Sequence, residues 1–306
     1  MRATWISLEG SAAVRWCALL LVALCAATAP LRASELTDTT EFAEIGATVV
    51  NYAHKVKPER ILLVLDIDNT LLAMDNALGS DQWFEWQRYL IDHEPKSEQR
   101  VADSFAGLLE AQGLLYNLSH MHPPQENLPA LMKRLQQLGI RTVVLTSRGP
   151  EFRVATEREL RRNGYDFSKT ALPVHDIPGG EFIPYDQEHP ELDGLTKDEL
   201  KKFHLKAPQP ITYEDGIMMT AGQHKGAMLL TLLHDAGDDV DAIVYDDDNI
   251  KHVANVYAAV LARGKEISAF HYTREAPNIK KFDYGSKKDV TKRWQKLSSV
   301  LEEVLN

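Results

Sequence analysis

The chain is almost without cysteine. Of 306 residues only Cys17 and Cys25 are thiols, and both fall within the first 33 positions. From residue 34 onward there is nothing to form a disulfide, a thiolate metal site or a cysteine nucleophile. A basic run is also missing. Asp and Glu number 44 against 34 Lys and Arg, a formal net charge of −10. Residues 1–33 carry Arg2, Arg15 and Arg32 against Glu9, a net +2, so the remainder stands at −12. Such a balance speaks against a nucleic-acid-binding surface but not against a small phosphorylated partner held through a metal ion. Internal repeats, low-complexity tracts and a long linker are absent as well.

The apolar run from Trp16 to Ala29 is too short for a confident membrane span. It follows Arg2 and Arg15 and precedes Leu31-Arg32-Ala33. That layout predicts a signal peptide over residues 1–33 and a periplasmic or secreted protein; an uncleaved N-terminal anchor is the alternative. The composition, 44% hydrophobic and 25% charged, is that of an ordinary globular protein. Its length suits a core domain with an insert.

The organising stretch is Ile61-Leu62-Leu63-Val64-Leu65-Asp66-Ile67-Asp68-Asn69-Thr70. Five consecutive apolar residues predict a strand buried on both faces, as in a parallel sheet. Two carboxylates follow at a spacing of two, so they leave an extended chain on the same side. In an open α/β sheet, ligands sit beyond the carboxyl ends of the strands. An all-oxygen pair at that edge suits a hard cation such as Mg2+. A calcium loop of the EF-hand kind is disfavoured, because a strand precedes and Leu71 stands where that loop needs glycine.

Two further strands end in polar groups. Ile140 to Leu145 runs into Thr146-Ser147-Arg148-Gly149, and Pro150 then opens a helix; hydroxyls beside a helix start suit a phosphate. Val240 to Tyr245 runs into Asp246-Asp247-Asp248-Asn249, with a helix from Ile250. Between them, Gly222-Gln223-His224-Lys225 opens a helix. A lysine there opposes the helix dipole, which hints at use; His224 competes for the role.

Residues 73–122 differ in texture. Trp83, Phe84, Trp86, Tyr89 and Leu90 crowd one predicted helix, and a second is expected over Val101 to Gln112. Most of these aromatics read as the core of a helical insert, with one or two facing the site as a lid. His120 and His122 have the spacing of a zinc pair without partners elsewhere, and read as loop residues. Residues 168–220, rich in Pro, Gly and charge, read as a second insert. Within them a capping box is expected at Thr196 and Glu199, and a hairpin over Ile211 to Thr220 turning at Asp215-Gly216. A capping pattern at Asp38 to Glu41 precedes a helix from Phe42. The final helix carries Val290, Trp294, Leu297, Val300 and Leu301 as a core face.

Asp66-x-Asp68-x-Thr70, the strand ending in Thr146, Lys225 at a helix start and the aspartates from 246, in that order, resemble the four motifs of the haloacid dehalogenase-like hydrolases. The aromatic insert with an export signal looks like an uncharacterised exported bacterial branch of them. The resemblance implies a three-layer Rossmann-like α/β core with a parallel sheet (residues 34–72 and 123–306) and a mostly helical cap (73–122). It implies Asp66 as nucleophile and Asp68 as acid and base. Thr146, Ser147 and Lys225 would then be phosphate-binding, and Mg2+ would rest on Asp66, the Asp68 backbone carbonyl and Asp246, with Asp247 in support and Asp248 in reserve. The reaction implied is hydrolysis of a small phosphomonoester through an aspartyl-phosphate. A phosphotransferase or mutase on the same core, or a catalytically silent envelope binding protein, is the alternative.

Overall fold

A computed structural model describes residues 35–175, 177–237 and 239–305. The signal peptide expected over residues 1–33 lies outside the described residues. The strands are β1 (Glu35–Thr39), β2 (Ile61–Leu65), β3 (Ala73–Met74), β4 (Met121–His122), β5 (Arg141–Thr146), β6 (Glu181–Phe182), β7 (Ile211–Glu214), β8 (Ile217–Met219), β9 (Ala242–Asp247) and β10 (Glu266–Tyr272). The helices are α1 (Phe42–Ala53), α2 (Asp81–His93), α3 (Phe105–Leu118), α4 (Leu128–Gln137), α5 (Arg153–Arg162), α6 (Lys197–Lys202), α7 (Lys225–Asp235), α8 (Ile250–Ala262), α9 (Ala276–Asp283) and α10 (Lys288–Leu305).

Eight strands form one sheet in the order β1-β10-β9-β2-β5-β8-β7-β6. Every pairing from β1 to β8 is parallel; only β8–β7 and β7–β6 are antiparallel. The expected three-layer α/β core is therefore present. All five residues of β2 are buried, and their alternation explains why. Ile61, Leu63 and Leu65 pack on one face with Phe42, Ile45, Leu128 and Met132 of α1 and α4. Leu62 and Val64 pack on the other with Met228, Leu229, Val253 and Val256 of α7 and α8.

Several local expectations hold. Thr196 and Glu199 form a reciprocal capping box on α6. Asp215 (φ 50°) and Gly216 (φ 78°) make the tight turn between β7 and β8. Others need correction. The capping pattern before Phe42 is overridden, since Glu35–Thr39 is instead an edge strand on β10. The second insert helix starts later than expected, where Ser104 accepts from the Gly107 N–H, and it runs on through Gly113. In α10, Val290 is buried but Val300 is 47% exposed, so only the first half of that helix packs.

The 73–122 segment is mainly α2 and α3, tied at its base by the antiparallel pair β3–β4. Its apolar core is shared with the C-terminal helices. Trp83 meets Trp294 at 6.4 Å between rings and Trp86 meets Phe282 at 6.1 Å. Residues 168–220 contribute β6, β7 and β8 to the main sheet. Among the described residues, no helix is long and apolar enough to cross a membrane.

Candidate functional site

Because β2, β5, β8 and β9 run parallel, their carboxyl ends open on one edge. A cavity of about 400 Å³ sits there. Its floor holds Asp66 and Asp68 after β2, Thr146, Ser147 and Arg148 at the end of β5, Lys225 at the start of α7, and Asp247 and Asp248 at the end of β9. Its roof comes from the insert, through Asp81, Phe84, Glu85, Arg88, Phe105, Leu109, Gln112 and Tyr116.

The alternation that splits the core also aims the acids. Asp66 has the parity of Leu62 and Val64, the face that packs on α7, and Lys225 begins α7. The fully buried Lys225 Nζ donates to Asp66 Oδ1 at 2.5 Å and to Asp247 Oδ2 at 2.6 Å. Asp247 has the parity of Tyr245, whose hydroxyl donates to Asp247 Oδ2 at 2.5 Å; the Asn249 N–H donates to Oδ1 at 2.8 Å. Asn69 sits in the left-handed region (φ 57°), which Asn tolerates better than most residues. From there its amide reaches Asp248 Oδ2 at 3.0 Å, while the Thr70 hydroxyl accepts from the Asp248 N–H. Carboxylate oxygens of Asp66, Asp247 and Asp248 lie within 4.8 Å of one another.

Electrostatics follow from this crowding. Burial pushes the Asp66 carboxyl up; Lys225 opposes it and Asp247 and Asp68 add to it, leaving it at about 7. Burial also pushes Asp247 up, but Lys225 and His252 outweigh it and hold Asp247 below the usual carboxylate range. Asp248 is raised well above that range by burial, then by Asp247 and Asp81. Burial lowers Lys225, and its two carboxylates more than reverse this, so it remains an ammonium.

Asp246 corrects the expected metal set. It was expected to bind Mg2+ directly, but it shares the parity of Ala242 and Val244 and faces away from the cavity, on the α1 and α4 side. Both of its carboxyl oxygens are buried without a hydrogen-bond partner, and burial raises it well above the carboxylate range. Asp248, held in reserve, joins the cluster instead. The Asp68 carboxylate, expected to act as acid and base while its backbone carbonyl meets the ion, stands apart from the cluster. Both of its oxygens are forked by Arg148, at 2.9 Å to Nε and 2.7 Å to Nη2. His224 does not compete with Lys225; its Nδ1 accepts from the Ala227 N–H and caps α7.

Two residues escaped the sequence reading. Arg148 is buried, stacks on the Tyr116 ring at 4.0 Å, and donates to the Thr156 hydroxyl at 2.8 Å. It thus ties α3 of the insert to Asp68 of the core. Its signal was a cation directly after a buried strand, passed over for the hydroxyls beside it. Asp81 was read only as part of a helix start. It is half-buried in the cavity wall, and burial, then Asp68 and Glu85, push it up to about 8. The floor loops are clipped together. Thr146 Oγ1 accepts from the Arg148 N–H, Ala221 (φ 51°) donates its N–H to the Arg148 carbonyl, and the Gly222 N–H donates to that of Ser147. A non-glycine residue in that region stores strain beside the site.

The cluster, the lysine and the fork are a local arrangement that any parallel sheet can present at its edge, and they do not establish kinship. The expected membership of the haloacid dehalogenase-like hydrolases is overturned. No model of those families matches the chain; the model that does match, over residues 38–305, carries a different description. Neither a curated protein nor a solved structure matches the chain. With the match spanning nearly all of the described fold, the chain belongs to the family described as "Protein of unknown function (DUF2608)".

Proposed function

We propose that the protein is a Mg2+-dependent phosphomonoesterase that passes through an aspartyl-phosphate on Asp66, with a small phosphorylated molecule as substrate. The observation that carries this reading is the buried cluster of Asp66, Asp247 and Asp248 with Lys225 Nζ 2.5 Å from Asp66. A strand-end carboxylate held beside a buried ammonium, open to a cavity, is arranged to meet an anionic electrophile.

The donor set fits a divalent cation. Ionised together, as a bound cation would favour, the three carboxylates outweigh the one ammonium, and their ligating atoms are all oxygens, which suits a hard ion. Asp66, Asp247 and Asp248 would hold it, with Tyr245, Asn249, Asn69 and Thr70 fixing the orientation of the latter two. Bound there, Mg2+ would supply charge neutralisation and polarise a phosphoryl oxygen.

In the first half of the reaction an Asp66 carboxylate oxygen bonds to phosphorus. The bond from phosphorus to the leaving oxygen breaks, and that oxygen takes a proton. In the second half water attacks phosphorus, gives up a proton, and the bond to Asp66 breaks. Lys225, Thr146 and Ser147 are assigned to the phosphoryl oxygens. Two acids can manage the proton. Asp68 is the acid nearest Asp66 in sequence, and Arg148 donates once to each of its oxygens, leaving a lone pair on each to take a proton. Asp81, which burial and then Asp68 push up to about 8, lines the same cavity, which favours it as a second reading for this role.

The test is phosphate release from a panel of phosphomonoesters, with and without Mg2+, beside Asp66→Asn, Asp68→Asn and Asp81→Asn. Release that requires both Mg2+ and Asp66 is expected. Release that survives chelation, or that persists in Asp66→Asn, would remove this mechanism. Phosphate appearing on an added alcohol instead of water would turn it into a transferase.

A further inference from the structure

The roof of the cavity carries apolar surface that the phosphoryl chemistry does not use. Phe84 of α2 and Phe105 of α3 meet edge to face, with ring centroids 6.1 Å apart and planes at 71°. Both line the cavity. Their neighbours Trp83 and Trp86 are seated against Trp294 and Phe282, yet Phe105 is left 49% exposed. Exposed aromatic surface on a pocket wall beside reactive groups marks a ligand contact.

Gln112 supplies an independent observation. It lines the cavity and is only 2% exposed. Its Nε2 donates to the Gly79 carbonyl at 2.7 Å, which fixes the amide. Its Oε1 is buried with no hydrogen-bond partner. A buried acceptor left unpaired costs free energy, and a donor on a bound molecule would satisfy it.

Charge narrows the choice. Asp81 and Glu85 line the roof, where Arg88 is already paired with Glu85 at 2.7 Å, whereas Lys251 and His252 line the cavity from the start of α8. A second phosphate or a carboxylate on a leaving group seated against the roof would meet repulsion from Asp81 and Glu85.

We infer that the roof is a leaving-group subsite for a flat ring bearing an N–H or O–H donor. Phe84 and Phe105 contact its plane or edge and Gln112 accepts its hydrogen bond. The substrate class is then nucleoside-like or aryl phosphomonoesters, in preference to sugar and polyol phosphates. This rests on the proposed phosphomonoesterase reading of the same site.

Adenosine 5′-monophosphate and ribose 5-phosphate test it cleanly, because both release a primary alkoxide and differ in the ring. The ratio of their kcat/KM values is expected to be roughly tenfold or more, the scale of one base stacked on an aromatic side chain. Phe105→Ala, at a half-exposed position that tolerates truncation, is expected to bring that ratio toward one, as is Gln112→Met. Equal kcat/KM values in the parent would overturn the subsite while leaving the phosphatase reading in place. Calorimetric titration of Asp66→Asn with the same two compounds gives an answer independent of turnover. Tighter binding of the nucleotide, weakened again by adding Phe105→Ala, supports the subsite even if no phosphate is released. Equal binding, or none, overturns it.

Discussion

Below the cavity, Asp66, Asp68, Asp247 and Asp248 stand on strand ends against Lys225 and Arg148; above it, two helices present Phe84, Phe105 and Tyr116. The floor is rigid. Its residues leave a sheet whose central strands are buried, and six of the eight carboxylate oxygens of Asp66, Asp68, Asp247 and Asp248 accept from a named donor. The roof rests on a small apolar cluster shared with α9 and α10. A site that needs fixed charge in one wall and an accommodating surface in the other can divide them this way. The sheet supplies position, and the insert supplies choice of partner. Arg148 is the joint between them, forked to Asp68 below and stacked on Tyr116 above.

The sharpest way to break this division is at the floor. Asp66→Asn is expected to lower turnover by about a thousandfold or more, with a melting temperature within a few degrees of the parent. A comparable loss of stability would mean that Asp66 is structural. Next is the joint. Arg148→Met leaves Asp68 without its cation and Tyr116 without its stacked partner. A loss of about 3 kcal/mol in denaturant unfolding and of roughly a hundredfold in turnover is expected. Unchanged turnover would separate roof from floor. At the roof's seat, Trp294→Ala is expected to cost about 2 kcal/mol, less than a fully buried tryptophan because the residue is only partly covered. It should raise KM more than it lowers kcat; the reverse would tie the insert to the chemistry.

A smaller effect comes from Asp81. Its folded value of about 8 lies above the ordinary 3.8, so the native state binds more protons than the unfolded chain between those values. Stability from this group is therefore complete below about pH 4 and falls as pH rises toward about 8. Asp81→Asn should flatten that part of a melting-temperature profile, and an unaltered profile would place the proton elsewhere. The smallest effect is expected at Asp246. Asp246→Asn should change Mg2+ affinity by less than about twofold in calorimetric titration, whereas Asp248→Asn should weaken it about tenfold or more.

That last pair shows what the sequence made legible and what it did not. The strands β2 (Ile61–Leu65), β5 (Arg141–Thr146) and β9 (Ala242–Asp247) announced themselves by apolar runs, and Asp66, Thr146 and Lys225 followed from lying at their ends or at a helix start. The register of three consecutive aspartates was not legible. Parity decides which of them faces α7, and it depends on where β9 stops; the strand continues through Asp247, beyond the apolar run that ends at Tyr245. Arg148 shows locally only as a cation after a buried strand, and Asp81 only as part of a helix start; their roles are not legible, for another reason. Those roles come from contacts at a separation of 80 residues for Arg148–Asp68 and from field effects across the cavity for Asp81, and neither role is written in the neighbouring residues. The edge strand Glu35–Thr39 was masked by its own polar residues, which an edge position permits.

The shared packing of the insert with α9 and α10 also fixes an order of events during synthesis. The floor needs α8 and β10 but nothing of α9 or α10, so it can assemble while the ribosome is still adding roughly the last thirty residues. The tryptophans of α2 wait for Phe282 and Trp294, which come nearly 200 residues later. Until then the nascent chain exposes a patch of indole rings beside an acid cluster already formed. The growing protein is therefore most in need of a chaperone late in translation, and a chain cut short before α9 would keep its floor and lose its roof.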